Sequence, residues 1–118
     1  MRSRLFLALV ALVASLASPS LALAHAELVS AEPGPGDEVV GSPTQIVANF
    51  SQNLDMSRTA MEVRNAAGET VAEGPVRGEG QRQIVLALPE LAPGEYEVRW
   101  TTFSAEDNEL HRGRYSFT

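Results

Sequence analysis

"GEYEVRWTTF", residues 94–103, decides the fold. Successive side chains of an extended strand point to opposite faces, so Tyr96, Val98 and Trp100 share one side and Glu95, Glu97 and Arg99 the other. One apolar face and one charged face mark an antiparallel strand with a buried side and a wet side. Trp100, flanked by core-type residues, reads as an anchor between two sheets rather than a stacking platform for substrate.

The same alternation extends outward in both directions. "TQIVANF" turns Ile46, Ala48 and Phe50 inward, and "TAMEVRN" does the same with Met61 and Val63. "RQIVLALP" places Ile84, Leu86 and Leu88 on one face before Pro89 stops it, and "GRYSFT" closes the chain with Tyr115 and Phe117. "AELVSAEP" supplies a first edge strand that ends in the turn cluster around Pro33 to Asp37, while "ETVAEG" is a short, weak strand after a turn at Gly68. No stretch past Ala24 carries a helical period. About seven short strands divided by Gly, Pro, Asn and Asp predict an all-β, immunoglobulin-like Greek-key sandwich.

Upstream of the strands the chain reads as an export signal. Arg2 and Arg4 precede the apolar run Leu5 to Ala17, and Ala22-Leu23-Ala24 is a small-x-small cleavage pattern. The run is shorter than the roughly 20 residues that span a bilayer. The expected division is a signal peptide over 1–24 and one β-sandwich domain over 25–118, released to the periplasm or an equivalent compartment. Losing Arg2 and Arg4 moves the net charge from −6 to −8, seven basic residues against fifteen acidic ones. Such a balance repels nucleic acid and anionic lipid and favours cations. There is no cysteine, so packing alone must hold the domain and any soft-metal site must do without thiolate.

Cleavage after Ala24 makes His25 the first residue. Its α-amine and imidazole Nδ1 together can chelate one metal ion, and an α-amine with a pKa near 7.7–8 gives up its proton readily near neutral pH. Nitrogen and carboxylate donors in a tetragonal arrangement suit Cu(II). Alone, His25 reads more readily as an incidental residue behind a cleavage site, since most lone histidines are not ligands. The loop "SAEDNELHRG", Ser104 to Gly113, holds the only other histidine, and in an extended segment Asp107, Glu109 and His111 project from one side. That loop reads either as half of a metal site or as a solvated acidic turn.

"HAELVSAEPGPGDEV", "IVANFSQNLD" and "LAPGEYEVRWTTFSAEDNELHRGRYSFT", in this order, resemble the CopC family of copper-resistance proteins across the whole chain after the leader. The resemblance implies a seven-strand sandwich with a Cu(II) site made by an N-terminal histidine and an Asp-x-His loop after the Trp strand. A carboxylate after "F-S" helps to hold the terminus. His25 matches the N-terminal ligand. Gln52 stands where the family shows Glu, and it can hydrogen-bond but adds no charge. In the loop, Asp107 matches the aspartate, Asn108 replaces glycine, and Glu109 occupies the histidine position, with His111 two residues later. Either the loop shifts so that Glu109-Leu110-His111 supplies the acid-x-His pair, or register is kept, Asp107 and Glu109 face the site, and His111 points elsewhere.

The resemblance further implies a copper carrier or buffer, not an enzyme, that binds Cu(II) in copper resistance and passes it to a CopD-like inner-membrane copper transport protein. It is expected to act as a monomer. A histidine-brace copper monooxygenase is the alternative, and a metal-free interaction module the third reading. Met56 and Met61 are the only methionines after the leader, too sparse for a methionine-rich Cu(I) site.

Overall fold

The computed structural model describes residues 26–75 and 81–118; the expected signal peptide and His25 lie outside the described residues. Seven strands form: β1 (Leu28–Glu32), β2 (Gln45–Phe50), β3 (Ala60–Asn65), β4 (Thr70–Pro75), β5 (Gln83–Ala87), β6 (Tyr96–Phe103) and β7 (Leu110–Phe117). They build two antiparallel sheets, one ordered β1-β2-β5 and the other β4-β3-β6-β7. This is the immunoglobulin-like sandwich that the alternation predicts.

Inward alternation places the core between the sheets. Ile46, Ala48, Val63, Ile84 and Val98 are fully buried, with Phe50, Met61 and Phe117 nearly so. Trp100 sits at the centre, its ring edge-on to Phe50 at 5.9 Å and tilted against Tyr115 at 5.8 Å between centroids. Directly across β7 from Trp100 is Gly113, whose missing side chain makes room for the indole. The indole Nε1 is buried and meets no hydrogen-bond partner among the described residues. Such a group costs about 1–3 kcal/mol, so ring packing must outweigh it.

Two tyrosines fasten the chain to itself. The Tyr96 hydroxyl donates to the Ala92 carbonyl oxygen, four residues back. This is the tyrosine corner of immunoglobulin-like sandwiches, and it gives "LAPGEY" a structural role at the entry to β6. The Tyr115 hydroxyl donates to the Pro33 carbonyl at 2.6 Å in a buried position. Burial, reinforced by the charge of Asp37, pushes that phenol well above its ordinary ionisation range.

The segment around Pro33 to Asp37 does more than end β1. Gly36 N–H donates to Ser116 O, Val39 N–H to Thr118 O and Thr118 N–H to Asp37 O, all within 2.9 Å. The segment therefore leaves the first sheet and covers the final residues of β7 on the second. No helix among the described residues is long and apolar enough to cross a membrane.

Candidate metal centre

One end of the sandwich gathers the segment that leads into β1, the exit of β2 and the hairpin between β6 and β7. Glu27 N–H donates to Ser51 Oγ at 2.9 Å, and Ser51 N–H returns a bond to Glu27 O at 2.8 Å. Beyond β2, these bonds extend the antiparallel pairing of Leu28 with Phe50. Ala26 is already buried. Next to Ser51, Gln52 accepts a hydrogen bond from Ser104 Oγ at 2.9 Å through its Oε1, and Ser104 is itself fully buried. The amide of Gln52 thus does what a carboxylate at its place also could, accepting a bond from the hairpin, without contributing charge.

The hairpin itself is tighter than its polar sequence implies. β7 starts at Leu110, so His111 belongs to a strand, paired with Thr102, and is not in the loop. The Thr102 hydroxyl donates to His111 O, and Ser104 N–H donates to Glu109 O at 3.0 Å, carrying the ladder past the last assigned pair. The alternation was hidden because its inward positions here are His111 and Gly113 rather than apolar residues. Only Tyr115 and Phe117 announce the inner face.

Asn108 has φ 59°, in the left-handed region that glycine and asparagine tolerate. Asn108 can therefore hold a backbone shape that a glycine at this position would also adopt. The ladder also sets Glu109 and His111 as alternate residues on one side of the hairpin, the side of Ser104 and Thr102. Asp107 is exposed in the turn, and its Oδ1 accepts from Glu109 N–H at 3.2 Å.

Neighbouring residues that the sequence did not single out brace this turn. Asp55 N–H donates to Phe103 O, and Ala105 N–H to Asn53 O, fixing the segment after β2 along the hairpin. Asp55 holds Arg58 in an ion pair at 2.8 Å. Arg58 in turn lies over the Phe103 ring and donates to Asn108 Oδ1. Hydrogen bonds from Ser57 and Arg58 hold the Asp55 carboxyl below its usual range. The only sequence signal for this clamp is the cluster "LDMSR", and it becomes legible once the register is known.

Among the described residues no three His, Asp or Glu side chains converge as a metal cage. The structure does bring together Gln52, Ser104 and the Glu109–His111 side of the hairpin beside the segment that leads into β1, and His25 itself falls outside the described residues. Met61 is a buried core residue, and Met56 packs partly buried against the core. Tyr96 and Tyr115 are both buried and hydrogen-bonded to backbone carbonyls.

Taken together, these features define a small immunoglobulin-like sandwich with a polar site at the end where its N-terminal segment meets its last hairpin. The chain belongs to the CopC family, as the family's model, the CopC domain, matches residues 28–118. Among solved structures, the crystal structure of CopC from Methylosinus trichosporium OB3b is similar, with TM-score 0.76 and 31% identity, covering 80% of this chain and 92% of that one. PcoC, a methionine rich copper resistance protein from Escherichia coli, is similar with TM-score 0.63 and 29% identity, covering 80% of this chain and 97% of that one. No curated protein matches the chain.

Proposed function

We propose that the chain is exported, loses residues 1–24, and then binds Cu(II) with the amine and imidazole of His25 as its first two donors. Asp107 and His111 complete the donor set, with Glu109 as the competing carboxylate at the family's histidine position and Gln52 orienting the terminal residue. The protein acts as a non-enzymatic carrier or buffer in copper resistance, handing the ion to a membrane transport protein of the CopD kind. The observation that carries this reading is the joining of the Glu27–Ser51 bonds, the Gln52–Ser104 bond and the β6–β7 hairpin at one end of the fold.

The donors suit the ion. Amine and imidazole nitrogens with carboxylate oxygen favour Cu(II) over other first-row divalent ions. A site on the rim of a sandwich, made from a terminus and a turn, loads and unloads without opening the core. The β-sandwich contributes rigidity: the Arg58 clamp fixes the turn, and the Ser51 bonds fix the approach of the N-terminal segment.

Two measurements test the proposal. Mass spectrometry of the exported protein should find a chain starting at His25. Spin-resonance titration of that species with Cu(II) should show nitrogen coupling at one equivalent, with His111→Ala weakening binding and Asp107→Asn and Glu109→Gln ranking the carboxylates. Absence of a nitrogen-ligated signal overturns the metal reading.

A further inference from the structure

The outer face of the β4-β3-β6-β7 sheet carries Arg64, Arg99, Arg112 and Arg114 beside Glu62, Glu73 and Glu97, with the glutamates on β3, β4 and β6 and only arginines as charged residues on β7. Strand register places Arg99 directly opposite Arg114, with Arg112 opposite Thr101 and Glu62 opposite Arg99 on the other side. Arg64, Arg99, Arg112 and Arg114 all point outward here, and Arg58 adds a fifth guanidinium over Phe103. Arg64 pairs with Glu62, and Arg99 pairs with Glu97. Arg112 and Arg114 are exposed and form no ion pair among the described residues, although the charge of Arg114 reaches the Glu97 carboxylate and helps to hold it below its usual range.

This charge borders an open backbone edge. β7 is an outer strand of its sheet. The Pro33 to Val39 segment covers it at Ser116 and Thr118, and among the described residues Leu110, Arg112 and Arg114 show backbone pairing to β6 alone. Beside that edge lies a shallow trough of about 570 Å³ whose charged lining is Arg99, Arg112 and Arg114 toward β7 and Glu62 and Glu73 on the far side. Leu110 stands exposed at the start of β7, opposite Phe103.

We propose that the outer edge of β7, through the backbones of Leu110, Arg112 and Arg114 and the two arginine side chains, binds an extended acidic segment of a partner protein as an added strand. Backbone pairing along a sheet edge supplies affinity, and the side chains that meet the flanking residues supply selectivity. Arg112 and Arg114 are two residues apart on one face, so they meet carboxylates at alternate positions of the incoming strand. The same pair repels a second β7, since antiparallel self-pairing of this edge brings arginine against arginine. On a domain of strong negative charge, this cationic edge also orients an acidic partner during approach. Alternate residues of β7 thus serve two faces, His111 toward the inner side and Leu110, Arg112 and Arg114 toward the docking side. The surface rests on charge and backbone geometry alone and is independent of the copper reading.

The probe is a fluorescein-labelled peptide of about eight residues alternating Glu and Thr, followed by anisotropy with copper-free residues 25–118. Binding at about 20 mM salt that weakens sharply toward 500 mM is expected, because screening shortens the reach of these charges. The Arg112→Glu/Arg114→Glu variant should bind at least about tenfold more weakly, with an unchanged urea midpoint. If that variant fails to fold, Arg112→Gln/Arg114→Gln serves with the same expectation. A Gln-Thr peptide, and a Glu-Thr peptide methylated on alternate backbone nitrogens, should each lose binding. Equal binding by the charge-reversed variant overturns the proposal. So does equal binding of the methylated peptide, which marks charge attraction without strand pairing. Preference for inorganic tripolyphosphate or for anionic phosphatidylglycerol vesicles over the peptide, or concentration-dependent dimerisation through this edge, likewise overturns it.

Discussion

Substituting Gly113→Ala tests the packing on which the second sheet depends. An added Cβ at this position would stand 2.9 Å from Trp100 Cη2, 2.5 Å from Cε2 and closer still to Cζ2. Carbon atoms in contact prefer about 3.5–4.0 Å, so the indole has to retreat by about 1 Å or more. It has little room, with Phe50 edge-on and Tyr115 tilted against it and only 7% of Trp100 exposed. Overpacking of this kind costs about 1–3 kcal/mol, and three close ring atoms put it at the upper end. Replacing a strand glycine returns about 0.5–1 kcal/mol of backbone entropy. The expected net loss is about 2 kcal/mol, a drop in Tm of about 8–16 °C for a domain of this size. Trp100 is the sole tryptophan, so its fluorescence reports urea unfolding directly. The midpoint should fall with an unchanged slope, whereas Arg112→Ala, exposed beside it, should leave the midpoint in place. A Gly113→Ala midpoint equal to that of the parent would refute the argument that Trp100 requires the bare glycine.

The two tyrosines carry the next expectations. Tyr115→Phe removes the bond to Pro33 and should cost about 1 kcal/mol at neutral pH. It should also flatten the alkaline limb of the stability curve. Burial pushes the folded phenol well above the ordinary tyrosine value of 10.0, so its stabilising contribution is complete below that pH. It declines as pH rises past 10 and unfolded chains lose the proton first. Urea midpoints between pH 8 and 11 check the sign. Tyr96→Phe breaks the corner bond to Ala92 and should lower stability by about 1 kcal/mol, with no effect on copper affinity, since the corner lies at the entry to β6. Cu(II) affinity itself should fall as pH is lowered from 8 to 5, because amine and imidazole must both shed protons to bind.

Most of the fold was legible because apolar residues recur at every second position, as in Ile46-Val47-Ala48 and Tyr96-Glu97-Val98. Where the inner position carries another kind of residue, the pattern fails. His111 and Gly113 face inward with no apolar signature, so β7 looked three or four residues shorter than it is and His111 looked like a loop residue. The signal that reveals them is Trp100, which needs an empty partner across the sheet. The Pro33 to Asp37 turn was legible as a break in the chain. Its hydrogen bonds to Ser116 and Thr118 were not, because backbone pairing with residues 80 positions away leaves no local mark. The candidate site residues could be named from the sequence by type and order alone, while the left-handed backbone at Asn108, which shapes the turn between Asp107 and Glu109, left no mark beyond the residue type. The arginine edge was invisible in the sequence, since Arg99, Arg112 and Arg114 come together only through strand pairing.

The account depends most on a free amine at His25 acting as a copper donor. Isothermal or competition titration with Cu(II) should compare residues 25–118 beginning at His25 with the same domain carrying one added glycine in front of it. The native terminus should bind at least about tenfold more tightly, a difference of about 1.4 kcal/mol or more, and spin resonance should lose one nitrogen in the extended form. Equal affinity and an unchanged nitrogen signature in the two proteins would contradict it.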